Sequence, residues 1–223
     1  MYQKDYIMKM IEQLTMAIAT LLGSKSKSKI EECHQMVNEA LYDLTGMSEG
    51  TLLKLSHKDL ISIISGGKET NTEKCLALAE MLKLKADVSK DDSVRSFALY
   101  LKSLNIFIEL NLAQSLLVQN SNQTINEIID LIKPYKIPRE SNQLLFRYYE
   151  FIGQYDKAED VLFKMITANE KDEIIINEGF AFYNRLKGKT LMDLEGGNLP
   201  LDEVIEGLEV YQHLLTIEHK SLR

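Results

Sequence analysis

Residues 139–170 read RESNQLLFRYYEFIGQYDKAEDVLFKMITANE, two short amphipathic segments on either side of one glycine. Leu145, Phe146, Tyr149 and Ile152 recur at helical spacing in the first segment, and Ala158, Val161, Leu162, Met165 and Ile166 in the second. Gly153 falls where the first helix must stop, a position that favours a residue tolerant of the left-handed conformation. Asp156 is placed to cap the second helix. Ala158 is small enough for the two helices to approach closely. The stretch predicts a helix-turn-helix hairpin.

The same pattern runs outward in both directions. Toward the N-terminus, residues 3–22 predict a helix with Ile7, Met10, Ile11, Leu14, Ile18, Leu21 and Leu22 on one stripe. Tyr2, Tyr6 and Met16 lie off that stripe. A second helix is expected from Ser28 to Leu44, then two short helices within 47–67, the latter capped by Ser56. Further helices are expected from Thr72 to Ala86, from Asp91-Asp92-Ser93 to Val118, and from Thr124 to Ile132, where Pro134 and Pro138 follow. Beyond the hairpin, Asp172 caps a helix to Lys187, Gly188–Pro200 is a long connector, and Asp202 starts the last helix. No alternating run supports a strand. The expected class is all-α, with residues 1–68 as an N-terminal helical pair plus connector and 69–223 as helical repeats, in one continuous domain.

The turn Gly153-x-Tyr155-x-x-Ala158 resembles that of a tetratricopeptide repeat, with Leu145, Tyr149 and Leu162 also of the consensus types. Phe146 and Met165 depart from it, since small residues are usual there. The resemblance implies antiparallel helix pairs stacked as a short right-handed solenoid. Three blocks resemble an uncharacterised, all-helical bacterial family of Firmicutes type. They are Gln3–Met8 with Met10–Leu14, Ile152–Asp160, and Leu199–Leu208. That likeness implies a bacterial cytoplasmic setting and no particular activity.

Composition narrows the function classes. The 223 residues are 45% hydrophobic and 26% charged, with a formal net charge of −7. Residues 1–110 carry 14 basic and 15 acidic side chains, and residues 111–223 carry 12 and 18. An acidic C-terminal half argues against nucleic acid as a partner, because phosphate contacts need clustered Lys and Arg. Lys25, Lys27 and Lys29 form one small basic run, which reads as a solvated turn. No apolar run approaches the length that spans a bilayer, and Lys9 and Glu12 interrupt the order of a signal peptide. Cys33 and Cys75 read as reduced, buried thiols of a cytoplasmic protein.

Chemistry-bearing motifs are fragmentary. Gly188-Lys189-Thr190 ends like a phosphate-binding loop, but Tyr183 stands where its first glycine is needed and a helix precedes it. Glu31-x-x-His34 is half of a di-iron signature without its second half, and reads as a surface pair. Cys33 and His34 are adjacent and so do not face each other on a helix. No catalytic residue, metal ligand set or cofactor is expected, and the chain is read as not an enzyme.

In the tetratricopeptide frame the concave face is lined by the first helix of each pair. That implies Gln143, Leu144, Arg147, Glu150 and Phe151 on one helix, and Ile176, Asn177, Phe180, Tyr183 and Asn184 on the next. The candidate groove is Gln143, Arg147, Glu150, Phe151, Asn177, Phe180 and Tyr183. An arginine among aromatics and amides suits a peptide or a carboxylate. The lysine-rich clamp of some tetratricopeptide proteins is not matched, since Gln143 and Arg147 replace its usual residues. The expectation is an interaction module for an unidentified protein or peptide. The alternatives are a self-associating homo-oligomer such as a homodimer, suggested by Tyr2, Tyr6 and Met16, and a small-molecule sensor or enzyme. The last requires a polar pocket with a perturbed ionisable group.

Overall fold

The computed structural model describes residues 14–16, 18, 20, 27–67, 69–114, 121–168 and 172–221. Helices and turns account for them, with no strand among the described residues. Most of the expected helix 3–22, with Tyr2 and Tyr6, lies outside them, as does Lys25. The chain divides into two compact units, Met1–Ile137 and Pro138–Arg223. The boundary expected at 68/69 therefore falls inside the first unit, where elements on both sides of it pack together.

The first unit contains α1 (Lys27–Thr45), α2 (Glu49–Lys54), α3 (His57–Ile64), α4 (Thr72–Val88), α5 (Ser93–Leu112) and α6 (Asn122–Ile132). Helix α4 is buried nearly all round, from Cys75 through Val88, as its near-continuous apolar sequence requires. It packs against α5, α1 and α3, and α5 also takes α2, α3 and α6. Ser56 caps α3 in a reciprocal box with Asp59, as expected. Among the ends that differ from expectation, three bear on the reading of the signals. Asn71, not Thr72, caps α4, its Oδ1 accepting from Lys74 N–H at 3.1 Å. Helix α5 stops at Leu112 rather than Val118, because Gln114 turns left-handed at φ 55°. Helix α6 begins at Asn122, two residues before Thr124.

The second unit contains α7 (Arg139–Phe151), α8 (Tyr155–Ala168), α9 (Glu173–Lys187), α10 (Leu191–Gly196) and α11 (Leu201–Ser221). Gly153 adopts φ 77° and closes α7 with two bonds, Gly153 N–H to Glu150 C=O at 3.2 Å and Gln154 N–H to Tyr149 C=O at 2.9 Å. These satisfy carbonyls the helix end would otherwise leave open. Helix α8 starts one residue before Asp156, which stands in its first turn rather than at its cap. Asp172 caps α9, accepting from the N–H groups of Ile174 and Ile175. The connector 188–200 is not plain loop: Thr190 and Asp193 form a capping box that starts α10. The phosphate-loop fragment is thereby a helix cap.

Two glycines fix the α9–α11 pair. A Cβ on Gly179 would lie 2.1 Å from Tyr211 Cε1, and one on Gly207 would lie 2.2 Å from Tyr183 Cε1. Each helix thus offers a glycine to the other's tyrosine four residues along. This reciprocal lock sets an antiparallel register. Phe146 sits edge-on to Phe182 with centroids 5.2 Å apart, a pairing that contributes about 0.5–1.5 kcal/mol beyond area burial.

Candidate functional site

The expected groove residues fall on α7 and α9 of the second unit. Gln143, Arg147, Glu150 and Phe151 share one face of α7, being spaced four, seven and eight residues along it. Arg147 and Phe151 are exposed, and Gln143 and Glu150 are half-buried. On α9, Asn177 is exposed and Phe180 half-buried. The Asn177 amide donates to the Glu173 carbonyl at 2.8 Å. Tyr183 departs from the expectation. Its ring is fully buried against Gly207, and its hydroxyl donates to Glu159 Oε1 at 2.5 Å. A side chain spent on the α9–α11 lock does not line a surface.

Ion pairs lace α7 to α9. Arg185 grips Glu150 through both its Nε and a terminal nitrogen, at 2.6 and 2.8 Å. Arg139 pairs with Asp172. Glu178 lies in the field of Arg147 and Arg185; burial nevertheless pushes its carboxyl above the usual range, with the arginines opposing. Arg185, Glu178 and Arg139 were not singled out from the sequence, and Asp172 was read only as a helix cap. The available signal was distance along the chain. Arg139–Asp172, Phe146–Phe182 and Glu150–Arg185 are separated by 33, 36 and 35 residues, and all three join α7 to α9. The two helices therefore run in the same direction.

A second charged cluster, in the first unit, joins residues the sequence did not bring together. Lys85 is fully buried on α4. Its ammonium contacts His34 Nδ1 at 2.9 Å, the His34 carbonyl at 3.2 Å, and Glu49 Oε2 at 3.5 Å. Glu49 also accepts both arms of Arg95, at 2.5 and 2.6 Å. The cluster joins α1, α2, α4 and α5. Burial lowers the Lys85 pKa against the opposing pull of Glu49. Burial also lowers that of His34, with Lys85 and Arg95 adding to it. For Glu49, burial pushes upward but the bonds to Arg95 and Lys85 carry the net shift downward. The expected Glu31–His34 surface pair is therefore not the partnership His34 makes; its ring turns inward to Lys85. Cys33 and Cys75 are free and buried, and burial raises both thiols, which makes them poor nucleophiles.

Neither cluster presents a nucleophile, a base and a substrate space together. Among the described residues, no group of three or more His, Cys, Asp and Glu side chains is arranged to hold a metal ion, and no helix is long and apolar enough to cross a membrane. The face of α7 and α9 is ion-paired, with Arg147 and Phe151 exposed and Phe180 half-buried. No curated protein and no solved structure matches the chain. A family model matches residues 1–216, nearly the whole sequence, and the chain therefore belongs to the Family of unknown function (DUF6483).

Proposed function

We propose that the second unit is a tetratricopeptide-like interaction module that holds a peptide or protein segment on the α7–α9 face, without enzymatic activity, in the bacterial cytoplasm. One observation carries this reading. Helices α7 and α9 run in the same direction and meet at separations of 33, 36 and 35 residues, against a repeat period of about 34 residues in tetratricopeptide arrays. The hairpin turn at Gly153, with Tyr155 and Ala158 buried behind it, supports the same frame. Arg147 supplies a fork of donors for a carboxylate. Phe151, 45% exposed, supplies apolar area beside it. Tyr183 drops out of the groove, and Gln143, Arg147, Glu150, Phe151, Asn177 and Phe180 remain.

The test pairs wild type with Arg147→Glu/Phe180→Ala in affinity capture from native lysate, with circular dichroism to confirm that the variant folds. A partner retained by wild type and lost by the variant supports the groove. Equal capture by both proteins refutes it. A second copy of the chain is the alternative partner. Met16, 69% exposed beside the helical stripe that holds buried Ile18, favours it, and a monomeric mass at high protein concentration would remove it.

A further inference from the structure

The charged groups of the α7–α9 face are of two kinds. Arg185 is held by Glu150 at 2.6 and 2.8 Å, and Arg139 by Asp172, so these four already have partners. Arg147 and Glu178 do not. Among the described residues, the Arg147 guanidinium and the Glu178 carboxyl make no hydrogen bond and no ion pair, although Glu178 stands in the field of Arg147. Arg147 is exposed and Glu178 half-buried. A guanidinium only donates and an ionised carboxyl only accepts. A carboxylate placed on Arg147 therefore meets Glu178, and an ammonium placed on Glu178 meets Arg147. A neutral group that accepts at one end and donates at the other satisfies both, and the peptide unit is such a group.

A second observation lies on α9 itself. Asn177 and Asn184 are exposed, and each amide nitrogen donates to the carbonyl four residues earlier, Glu173 at 2.8 Å and Phe180 at 2.9 Å. Those bonds orient the two carboxamides and leave each Oδ1 as an acceptor. Seven residues apart, the asparagines share one face of the helix and lie about 10.5 Å from each other along its axis. Ala181 stands between them on that face, and its small side chain lets a main chain approach. An extended segment of the polyproline II kind repeats its direction every three residues, about 9.3 Å, and has no internal hydrogen bonds. Two of its N–H groups match the spacing of the asparagines to about 1 Å.

We propose, on the footing of the interaction-module reading above, that the α7–α9 face binds an extended, uncharged peptide segment through its main-chain amides. Two N–H groups sit on Asn177 and Asn184, and one peptide unit or side-chain carboxamide bridges Arg147 and Glu178. Acidic and basic segments are both disfavoured, each by one of the two unpaired charges. Side-chain sequence matters little, because every residue but proline supplies the N–H.

The test is titration of the full chain, followed by amide chemical shifts, with blocked octapeptides in which alanine alternates with glutamine, with glutamate or with lysine. A fourth probe is the glutamine peptide with an ester in place of every second amide, which removes one N–H from each pair three residues apart. The glutamine peptide is expected to saturate α7 and α9 resonances. It should bind about tenfold tighter than the ester or either charged peptide, the scale of one hydrogen bond. Asn177→Leu/Asn184→Leu, with circular dichroism unchanged, is expected to weaken it at least as much. Equal binding of ester and amide, or of folded Asn177→Leu/Asn184→Leu and wild type, overturns main-chain recognition. Tighter binding of a charged peptide, lost in Arg147→Glu/Phe180→Ala, also overturns it but leaves the face as an interaction site. If none of the peptides shifts α7 or α9, main-chain recognition falls. The interaction module falls with it only where lysate capture is also equal for wild type and Arg147→Glu/Phe180→Ala.

Discussion

Removing the charge of Glu49 should destabilise the first unit far more than an acid with 12% exposure ordinarily would. Two cations depend on this carboxylate, and they differ in what they do without it. Arg95 keeps 39% of its side chain exposed and can turn to water. Lys85 has none exposed, and its remaining partners would be the neutral Nδ1 and the carbonyl of His34. Breaking one side of a buried pair costs about 3–5 kcal/mol, because the other charge stays desolvated. Lys85 can limit that cost by releasing its proton, since burial already lowers its pKa. The expected loss for Glu49→Gln is therefore near the lower end, about 3 kcal/mol. That corresponds to roughly a hundredfold or more in hydrogen exchange of α4 amides that open with the unit.

Local exchange is the suitable assay, because a chain of two compact units need not unfold in one step. The cycle is closed with Lys85→Met. Alone, that substitution leaves Glu49 on its Arg95 fork, and exchange of a buried ion pair for a packed apolar group is often neutral or stabilising. In the double variant the stranded ammonium is gone, and most of the Glu49→Gln loss should return. The sign of the pH effect is also fixed. A lysine whose folded pKa is depressed adds stability as pH rises from the folded pKa toward the unfolded value near 10.4. Glu49→Gln should accordingly recover in alkali. A loss under about 1 kcal/mol, additive with Lys85→Met, would refute the account.

Two further outcomes follow from named contacts. His34 must present Nδ1 as an acceptor to Lys85, with Arg95, Glu49 and Asp91 also in its field. Its lowered pKa means stability is full above the unfolded value near 6.5 and is lost as pH falls below it. His34→Gln, which cannot titrate, should flatten urea stability of the first unit across that window; an unchanged slope would show that His34 is not the sensitive group. Gly179→Ala would set a methyl 2.1 Å from the Tyr211 ring and should cost at least about 1–3 kcal/mol by overpacking. Gly196→Ala meets nothing within 4 Å, so equal midpoints for the two variants would contradict the glycine–tyrosine lock.

The helices were legible because their signals are local. Apolar spacing, Ser56 and Asp172 as caps, and Gly153 as a stop each act within a few residues, and each stands where the pattern placed it. The errors have local causes of another kind. Asn71 rather than Thr72 is the cap of α4 because the helix already begins at Thr72, which leaves Asn71 at the cap position with its amide oxygen on the Lys74 N–H. Helix α10 was hidden because Leu191 and Met192 are exposed and give no buried stripe to read, leaving only the Thr190–Asp193 box as a signal. The groove was half legible. Periodicity places a residue on a face of its own helix but does not say which neighbour covers that face. Arg147 projects freely while Tyr183, read as its companion, is consumed by Gly207.

Lys85 marks the deeper boundary, and it also shows how to move it. On α4 it follows Leu78 and Leu82 along one buried line, on the side of the helix away from the half-buried Glu80, Lys83 and Asp87, so it has no polar face to escape to. That much is visible in the string Leu82-Lys83-Leu84-Lys85-Ala86. A charge in such a helix must be matched by groups from elsewhere in the chain, because an unmatched one would neutralise or unfold it. The partners found, His34 and Glu49, lie 51 and 36 residues earlier, on helices otherwise unremarkable in sequence. The same logic separates the two lysines of that string. Lys83 retains 20% of its surface and pairs with Asp87 one turn on, an arrangement that solvent and helical spacing supply unaided. Lys85 has neither, and so the four helices joined through its ammonium and the Glu49 carboxylate form an assembly whose register is fixed by charge as well as by packing.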